Sequence, residues 1–343
     1  MTHLTAPVKH LLFNAVKKLD LNLADKTVLT EAASGHFAYT PLIACLAGAR
    51  KVIAFGKDTR YGSFNSVCGR LRDLSKALGC SDRLMVTDTL PDAIMGSADI
   101  ITNSGMLRPI DRRFISCLSS KAVISLMYEP WELRHSDIDI SAAKAMNIPV
   151  IGVNEEDDRI RILDYLPLLA QQQLTSSGAS ARGERIAVIG NDLFAEKIYH
   201  GLSSHHHVTL FSLTQAEDLL DAAVDINIIV LAQHHEKNRH FLNTDLLNRL
   251  APHSGRLKVL QIAGGLIDVE HAGHMGFSVF PQRQVAPGVM GWTLAELGPQ
   301  PVIDLNAAGI KAGAVVHDVF AGLSDADQAV REALVSDPLL KWL

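Results

Sequence analysis

Short runs of Val, Ile and Leu recur along this chain, each followed by a stretch with helical spacing, and that alternation restricts the fold more than any other feature. The runs fall at Thr27–Glu31, Lys51–Phe55, Leu84–Thr87, Ile100–Thr102, Ala122–Leu126 and Pro149–Val153. A second series falls at Arg185–Ile189, Val208–Phe211, Ile226–Leu231, Lys258–Ile262 and Phe277–Phe280. Helical patterns such as Pro41–Leu46, Ser66–Leu78 and Arg113–Leu118 lie between them. A strand that is apolar at nearly every position is buried on both faces, and helical crossovers between such strands make the sheet parallel. The expected class is α/β, as two Rossmann-like or flavodoxin-like βα domains with parallel sheets and a cleft between them. A longer helical pattern over Asp158–Leu174 and the Ser/Gly/Ala-rich connector TSSGASARGE separate the two series.

A chain of 343 residues is expected to hold two domains. The first covers 1–155 and takes in the C-terminal part, about 310–343, with a helix over Ala326–Leu334; the second covers 160–300. The stretch MTHLTAPVKHLLFNAVKKLD reads as a short amphipathic helix, and QRQVAPGVMGWTLAELGPQP as a Pro/Gly-rich loop. The net charge is −5, and Lys and Arg are interspersed with Asp and Glu, so neither nucleic acid nor an anionic membrane surface is an expected partner. No run approaches the ~18 apolar residues of a membrane span, and the N-terminus lacks the apolar stretch of a signal peptide. The four cysteines, Cys45, Cys68, Cys80 and Cys117, have no CxxC spacing. Reduced thiols and a cytoplasmic setting follow, with no zinc site. His205–His207 and His234–His235 are adjacent histidines, which point to opposite faces of an extended chain, so no metal is expected there either.

The sharpest local signal is ERIAVIGNDLFAEKIYHGL, in which a buried strand runs into Gly190 and a helix opens about three residues later. A dinucleotide fingerprint places glycines at the first, third and sixth positions of such a turn; here they are Gly190, Asp192 and Ala195. Gly190 permits the tight turn and Ala195 permits close packing. Asp192 puts a carboxylate where a pyrophosphate would sit. The next strand ends at Ser212, where NAD enzymes carry Asp or Glu, and no Arg follows to hold a 2′-phosphate. The expected cofactor is NAD or NADP, held by Gly190, Asn191, Asp192, Leu193, Phe194, Ser212, Ala232 and Gly264. The alternative is a nucleotide fold that has lost its dinucleotide.

Three blocks carry a family resemblance: ADIITNSGMLRPIDRRFISCL, DIDISAAKAMNIPVIGVNE and LKVLQIAGGLIDVEHA. Their order and spacing resemble the D-2-hydroxyacid dehydrogenase superfamily, with S-adenosylhomocysteine hydrolases as more distant relatives. The resemblance spans about residues 98–275. It implies a substrate domain at the N-terminus, NAD(P) on the second domain, an active site in the cleft, a C-terminal helix that returns to the first domain, and a homodimer built through the nucleotide domains. The family's catalytic residues do not carry over. Its Arg position falls on Ala263, and its Pro-His pair reads Pro281-Gln282.

Chemistry is therefore expected in the first domain, at the carboxyl ends of its strands, where ligands of open α/β sheets bind. Those ends supply Glu31, Ser34, His36 and Tyr39; Lys57, Asp58, Arg60 and Tyr61; Asn103, Ser104 and Arg108; Tyr128, Glu129, Trp131 and Glu132; and Asn154 and Glu155. His36, Tyr39, Arg108, Glu129 and Glu132 are the catalytic candidates. Glu31, Ser34, Arg60, Asn103, Ser104, Trp131, Asn154 and Glu155 are candidates for binding substrate. His36 or Tyr39 is the proposed proton carrier, Arg60 and Arg108 the anion-binding groups, and the glutamates a seat for an amine or hydroxyls. Singly, each residue also suits a solvated loop or a helix cap: Thr40–Pro41 opens a helix well, and Glu132 can pair with Arg134.

The leading function is an NAD(P)-dependent oxidoreductase acting on a small polar, amino-acid-like metabolite. The rivals are a non-redox binding or regulatory protein with a vestigial nucleotide fold, and an NAD-retaining lyase or hydrolase.

Overall fold

The computed structural model describes residues 5–235 and 237–343. Residues 1–4 of the N-terminal stretch lie outside the described residues; the remainder forms helix α1 (Ala6–Lys18). The chain divides into two compact units, Met1–Ile162 with Gly298–Leu343, and Leu163–Leu297.

The first unit contains β1 (Thr27–Glu31), β2 (Lys51–Phe55), β3 (Leu84–Thr87), β4 (Ile100–Thr102), β5 (Val123–Ser125) and β6 (Val150–Val153). These strands pair in parallel in the order β3-β2-β1-β4-β5-β6. The second unit contains β7 (Arg185–Ile189), β8 (His207–Phe211), β9 (Ile228–Leu231), β10 (Lys258–Gln261) and β11 (Ser278–Phe280), all parallel, in the order β11-β10-β9-β7-β8. A last strand, β12 (Leu340–Lys341), joins the first sheet antiparallel to β6, with Leu340 opposite Val153. The two orders differ in kind. The first sheet has the 3-2-1-4-5-6 order of dinucleotide folds and the second the 2-1-3-4-5 order of flavodoxin-like folds. Strand order reverses between β1 and β4 in one and between β7 and β9 in the other, and each reversal opens a crevice at the carboxyl edge.

The helices of the first unit, after α1, are α2 (Thr40–Leu46), α3 (Phe64–Ala77), α4 (Asp92–Met95), α5 (Arg112–Ser116) and α6 (Ile140–Ala145). The second unit has α7 (Tyr165–Ser176), α8 (Leu193–Ser203), α9 (Ala216–Ala222), α10 (Thr244–Leu250) and α11 (Val269–His274). Back in the first unit come α12 (Pro299–Ala321) and α13 (Ala326–Ser336). Strands β1, β4, β5 and β6 are buried at every position, which is the burial their unbroken apolar runs call for.

Two sequence expectations are corrected. The pattern over Asp158–Leu174 is not one helix. Arg159 turns back onto Asp157 at 2.8 Å, Arg161 has φ +46, and the helix begins only at Tyr165 after a single turn over Ile162–Asp164. The Pro/Gly-rich segment ending in GPQP does not run on as loop: Pro299–Gln300–Pro301 opens α12, at 23 residues the longest helix. Its small residues explain why no apolar stripe announces it. It packs on α1, α2, β4, β5 and β6 and is buried along most of its length, so it lacks the polar face of a surface helix. Gly309 and Gly313 allow the close approach. A Cβ on Gly313 would lie 2.8 Å from Ile100 Cγ2 and 3.1 Å from Ser125 Cβ, and one on Gly309 would overlap the Met127 side chain.

Gly313→Val should therefore lower unfolding stability by ~1–3 kcal/mol through overpacking. The midpoint of urea unfolding checks it; a midpoint equal to the parent's would contradict this packing.

Candidate functional site

The crevice of the first sheet lies where β1 and β4 part. Thr30 Oγ1 accepts from Thr102 Oγ1 at 2.9 Å across the two strands, and Ser104 Oγ lies 2.6 Å from the same Thr102 hydroxyl. Glu31, the last residue of β1, is 5% exposed, and its Oε2 accepts a long 3.4 Å bond from the Met106 amide on the far side of the crevice. Burial raises its pKa to about 7, against the opposing pull of the Met106 amide, the Arg108 charge and the Gly105 amide. Gly105 has no side chain to fill the space beside it. A Cβ there would lie 3.6 Å from Arg108 Nη2 and 3.6 Å from Glu31 Oε2, with nothing nearer. A cation and a proton-sharing carboxyl therefore flank one small open space.

Arg108 is held from behind. Its Nη1 donates to Asp137 Oδ2 at 3.1 Å, and the same oxygen accepts from Arg134 Nε at 3.2 Å, Arg134 Nη2 at 3.1 Å and Tyr128 Oη at 2.8 Å. Asn103 completes the chain, donating to Tyr128 Oη at 2.5 Å and accepting from the Met127 amide at 2.9 Å. Burial, and then Asp137, push the Tyr128 phenol well up, so it stays protonated and acts as a donor. Two guanidiniums share one carboxylate, which leaves positive charge beside the crevice. Asp137 and Arg134 were not among the site residues named from sequence, and Tyr128 was named only as one of the polar strand-end residues. Asp137 is 29 residues from Arg108, and no local pattern marks it.

A second group gathers beyond β5 and β6. Glu129, Glu132 and Glu155 come together, and Lys341 of β12 places Nζ 2.8 Å from Glu129 Oε2. Glu129 Oε1 also accepts from the Glu155 amide at 3.0 Å. Glu132 and Glu155 hydrogen-bond to each other through their carboxyls. Burial, with the neighbouring carboxylates, raises Glu132 to about 7 and Glu155 well above the usual range. The cation expected at these glutamates is thus supplied by the chain itself. Asn154 serves the same C-terminal segment, donating its side chain to the Pro338 carbonyl at 3.2 Å and its amide to that of Leu339 at 2.8 Å.

The other residues named from sequence are more scattered. Ser34 precedes a 3₁₀ turn (Gly35–Tyr39) without bonding to it, and in that turn His36 and Tyr39 stack at 6.1 Å. Burial, then Arg70, lowers the His36 pKa, so the ring is neutral near pH 7. Arg60 lies on an exposed turn and engages Tyr61, donating to its hydroxyl at 2.5 Å. Trp131 is 37% exposed in the 3₁₀ turn Pro130–Glu132.

The crevice of the second sheet, between β7 and β9, is bridged by the chain's own acceptors. Asp192 caps α8: its Oδ1 accepts from the Ala195 amide at 3.0 Å and its Oδ2 from the His234 amide at 2.6 Å. Burial raises its pKa while these amides oppose the rise. Gln233 Oε1 takes the Asn191 amide at 2.8 Å. Gly190 is required here, with φ +155 and only 3.0 Å between its Cβ position and the Gln233 amide. Leu193 opens α8, and buried Phe194 lies against His234 with ring centroids 4.9 Å apart and planes tilted by 36°. The Ser212 hydroxyl bonds to Thr214 at 2.9 Å, the Ala232 amide to the Ile189 carbonyl at 2.9 Å, and the Gly264 amide to the Val289 carbonyl at 2.9 Å. Ala263 is buried and Gln282 exposed. As it stands, the turn does not fit a pyrophosphate: a carboxylate occupies the helix terminus and the amides beside it are taken. Among the described residues no group of His, Cys, Asp and Glu is placed to hold a metal ion, and no helix is long and apolar enough to cross a membrane.

No protein-family model matches the chain, and no curated protein matches it in sequence. Solved structures do match. A dipicolinate synthase component from Bacillus halodurans is similar over 87% of this chain and 99% of its own, at 12% identity and TM-score 0.56. The two chains share a fold of parallel βα units. Weaker matches at 11% identity include a 2-hydroxyacid dehydrogenase from Ketogulonicigenium vulgare, covering 87% of this chain and 95% of that one at TM-score 0.45. A D-isomer specific 2-hydroxyacid dehydrogenase family protein from Aeromonas salmonicida covers 86% and 96% at TM-score 0.42. The resemblance read from the three sequence blocks is borne out as a likeness of fold.

Two consequences are measurable. Glu31 binds its proton more tightly folded than unfolded, so its stabilising contribution is complete below pH 4.5 and is lost as pH rises through about 7. Glu31→Gln should remove that loss, gaining up to about 3 kcal/mol over the parent at pH 8. Denaturant unfolding at pH 5 and pH 8 checks it, and an equal difference between the two proteins at both pH values would refute it. Glu129→Ala should lower the melting temperature, because it strands the buried Glu155 amide and the Lys341 charge, at a cost of ~1–3 kcal/mol. An unchanged melting temperature would mean that the Lys341 pair and the Glu155 bond contribute nothing.

Proposed function

We propose that the protein acts on a small polar metabolite with an anionic group, bound at the carboxyl edge of the first sheet. The observation that carries this reading is Glu31, buried at the strand-order reversal with a pKa of about 7 and facing Arg108 across the space beside Gly105. A carboxyl with that pKa both gives and takes a proton near neutrality, which is what a general acid/base needs. Arg108 is the anion-binding group, and Asp137, fixed by Arg134 and Tyr128, sets its position. In this reading Glu31 replaces His36 and Tyr39 as the proton carrier.

The reaction class that the dehydrogenase-like fold favours is oxidoreduction linked to NAD or NADP. The crevice between β7 and β9 then has to release Asp192 and Gln233 before a nucleotide can enter. A second reading is favoured by those same bonds, 2.6 Å from His234 to Asp192 and 2.8 Å from Asn191 to Gln233. In it the protein is a non-redox binding or regulatory protein whose nucleotide-type turn is closed by its own side chains.

Calorimetric titration with NAD, NADH, NADP and NADPH separates the two. Binding to the parent below millimolar concentration supports the oxidoreductase. No binding to the parent, with binding gained by Asp192→Gly, supports the non-redox reading. For the site itself, Arg108→Ala should weaken metabolite binding roughly tenfold to a hundredfold, the loss of one charge-assisted contact. Unchanged binding in that variant would move the site elsewhere.

A further inference from the structure

The space beside Gly105 is flanked by two groups of unlike charge that do not satisfy each other. Arg108 spends Nη1 on Asp137 at 3.1 Å, whereas its Nη2 has no hydrogen-bond partner among the described residues. Glu31 Oε2 faces the same space; the bond it takes from the Met106 amide is long at 3.4 Å, and the Gly105 amide also points at the carboxyl. Gly105 itself is exposed, while Glu31 at the inner side of the space is buried.

We propose that the space beside Gly105 is the seat for one carboxylate of a small organic acid, held between Arg108 Nη2 and the Glu31 carboxyl, and that filling it takes up one proton. The proposal rests on the reading of this edge as the metabolite site, and adds the ligand class and its coupling to pH.

The argument is electrostatic. Of the neighbours on β1, β4 and the loop after β4, Thr30, Thr102 and Ser104 are neutral, and Arg108 is the charged group acting on Glu31. Asp137 stands behind Arg108 and draws on its charge, as does Arg134 on the charge of Asp137. A ligand carboxylate brought beside an ionised Glu31 meets a like charge in a poorly solvated place, and two carboxyls in that position hold one proton between them. With that proton on Glu31, its O–H donates to a ligand oxygen while Arg108 donates to the same carboxylate, and both bonds are charge-assisted. The proton comes from the buffer, and no covalent bond changes. Burial already holds Glu31 near the middle of its titration at pH 7, so little is needed to draw the proton in.

The test is calorimetry on the full chain with oxalate, L-malate and L-aspartate as carboxylate probes and inorganic phosphate as a comparison. Each is run at pH 6, 7 and 8 in two buffers of different ionisation heat. At least one carboxylate probe should bind, with uptake near one proton at pH 8 and less at pH 6, and with affinity falling by up to ~tenfold per pH unit above pH 7. Glu31→Gln, a permanent neutral donor, should bind that probe with no proton uptake and no pH dependence over the range. Gly105→Ala should fold with the parent's melting temperature, since its methyl meets its neighbours at 3.6 Å, an ordinary contact, yet lose at least tenfold in affinity. Carboxylate binding without proton uptake, or undiminished in Gly105→Ala, overturns the seat and leaves the metabolite-site reading standing. Phosphate binding in Gly105-dependent fashion while no carboxylate binds overturns the ligand class. No binding of any probe to the parent overturns both the seat and the site.

Discussion

An apolar parallel strand has to be covered on both faces, and this constraint governs where everything else in the molecule goes. Helices must cross over each sheet, so strand interiors have no room for chemistry. Polar side chains collect where the strands end. The same rule brings α12 back across β4, β5 and β6 from the far end of the chain, and its glycines let it lie close enough to shut the sheet from water. The reversal of strand order in each sheet then leaves one crevice at each carboxyl edge.

The two crevices differ in how their polar groups are satisfied. Between β7 and β9, Asp192 and Gln233 consume the backbone amides that an incoming anion would use, and a half-buried carboxylate sits at the positive end of α8. Between β1 and β4, the cation is only half satisfied among the described residues. Arg108 is anchored by Asp137 through one nitrogen and leaves the other facing Glu31 across an unfilled space. A half-satisfied cation next to a carboxyl raised by burial is what supports the proposal of an anion site in the first crevice; in the second, the chain's own carboxylate takes that place.

Buried charge elsewhere follows the same logic with a different result. Glu129, Glu132 and Glu155 would be unsustainable as three buried anions. They persist because Glu132 and Glu155 retain protons far more readily than usual and Lys341 neutralises Glu129. The C-terminal strand is thereby tied to the sheet by an ion pair as well as by its ladder with β6.

The sequence by itself determined the parallel βα architecture, most strand limits to within two residues, the tight turn at Gly190 and the anomaly of Asp192, because each is written in local periodicity or in one residue's steric need. It also placed Glu31, Asn103, Ser104 and Arg108 at strand ends that share an edge. It did not show α12, whose burial on most sides erases the amphipathic stripe, nor the break before Tyr165, where Arg159 folds back on Asp157. Tertiary structure alone decided which polar residues meet. Glu31 reaches the Met106 amide across 75 residues, Asp192 reaches that of His234 across 42, and Lys341 comes to Glu129 from the opposite end of the chain. Such pairings depend on strand order, and strand order is set by which apolar faces pack together over the whole chain, information that no local window contains.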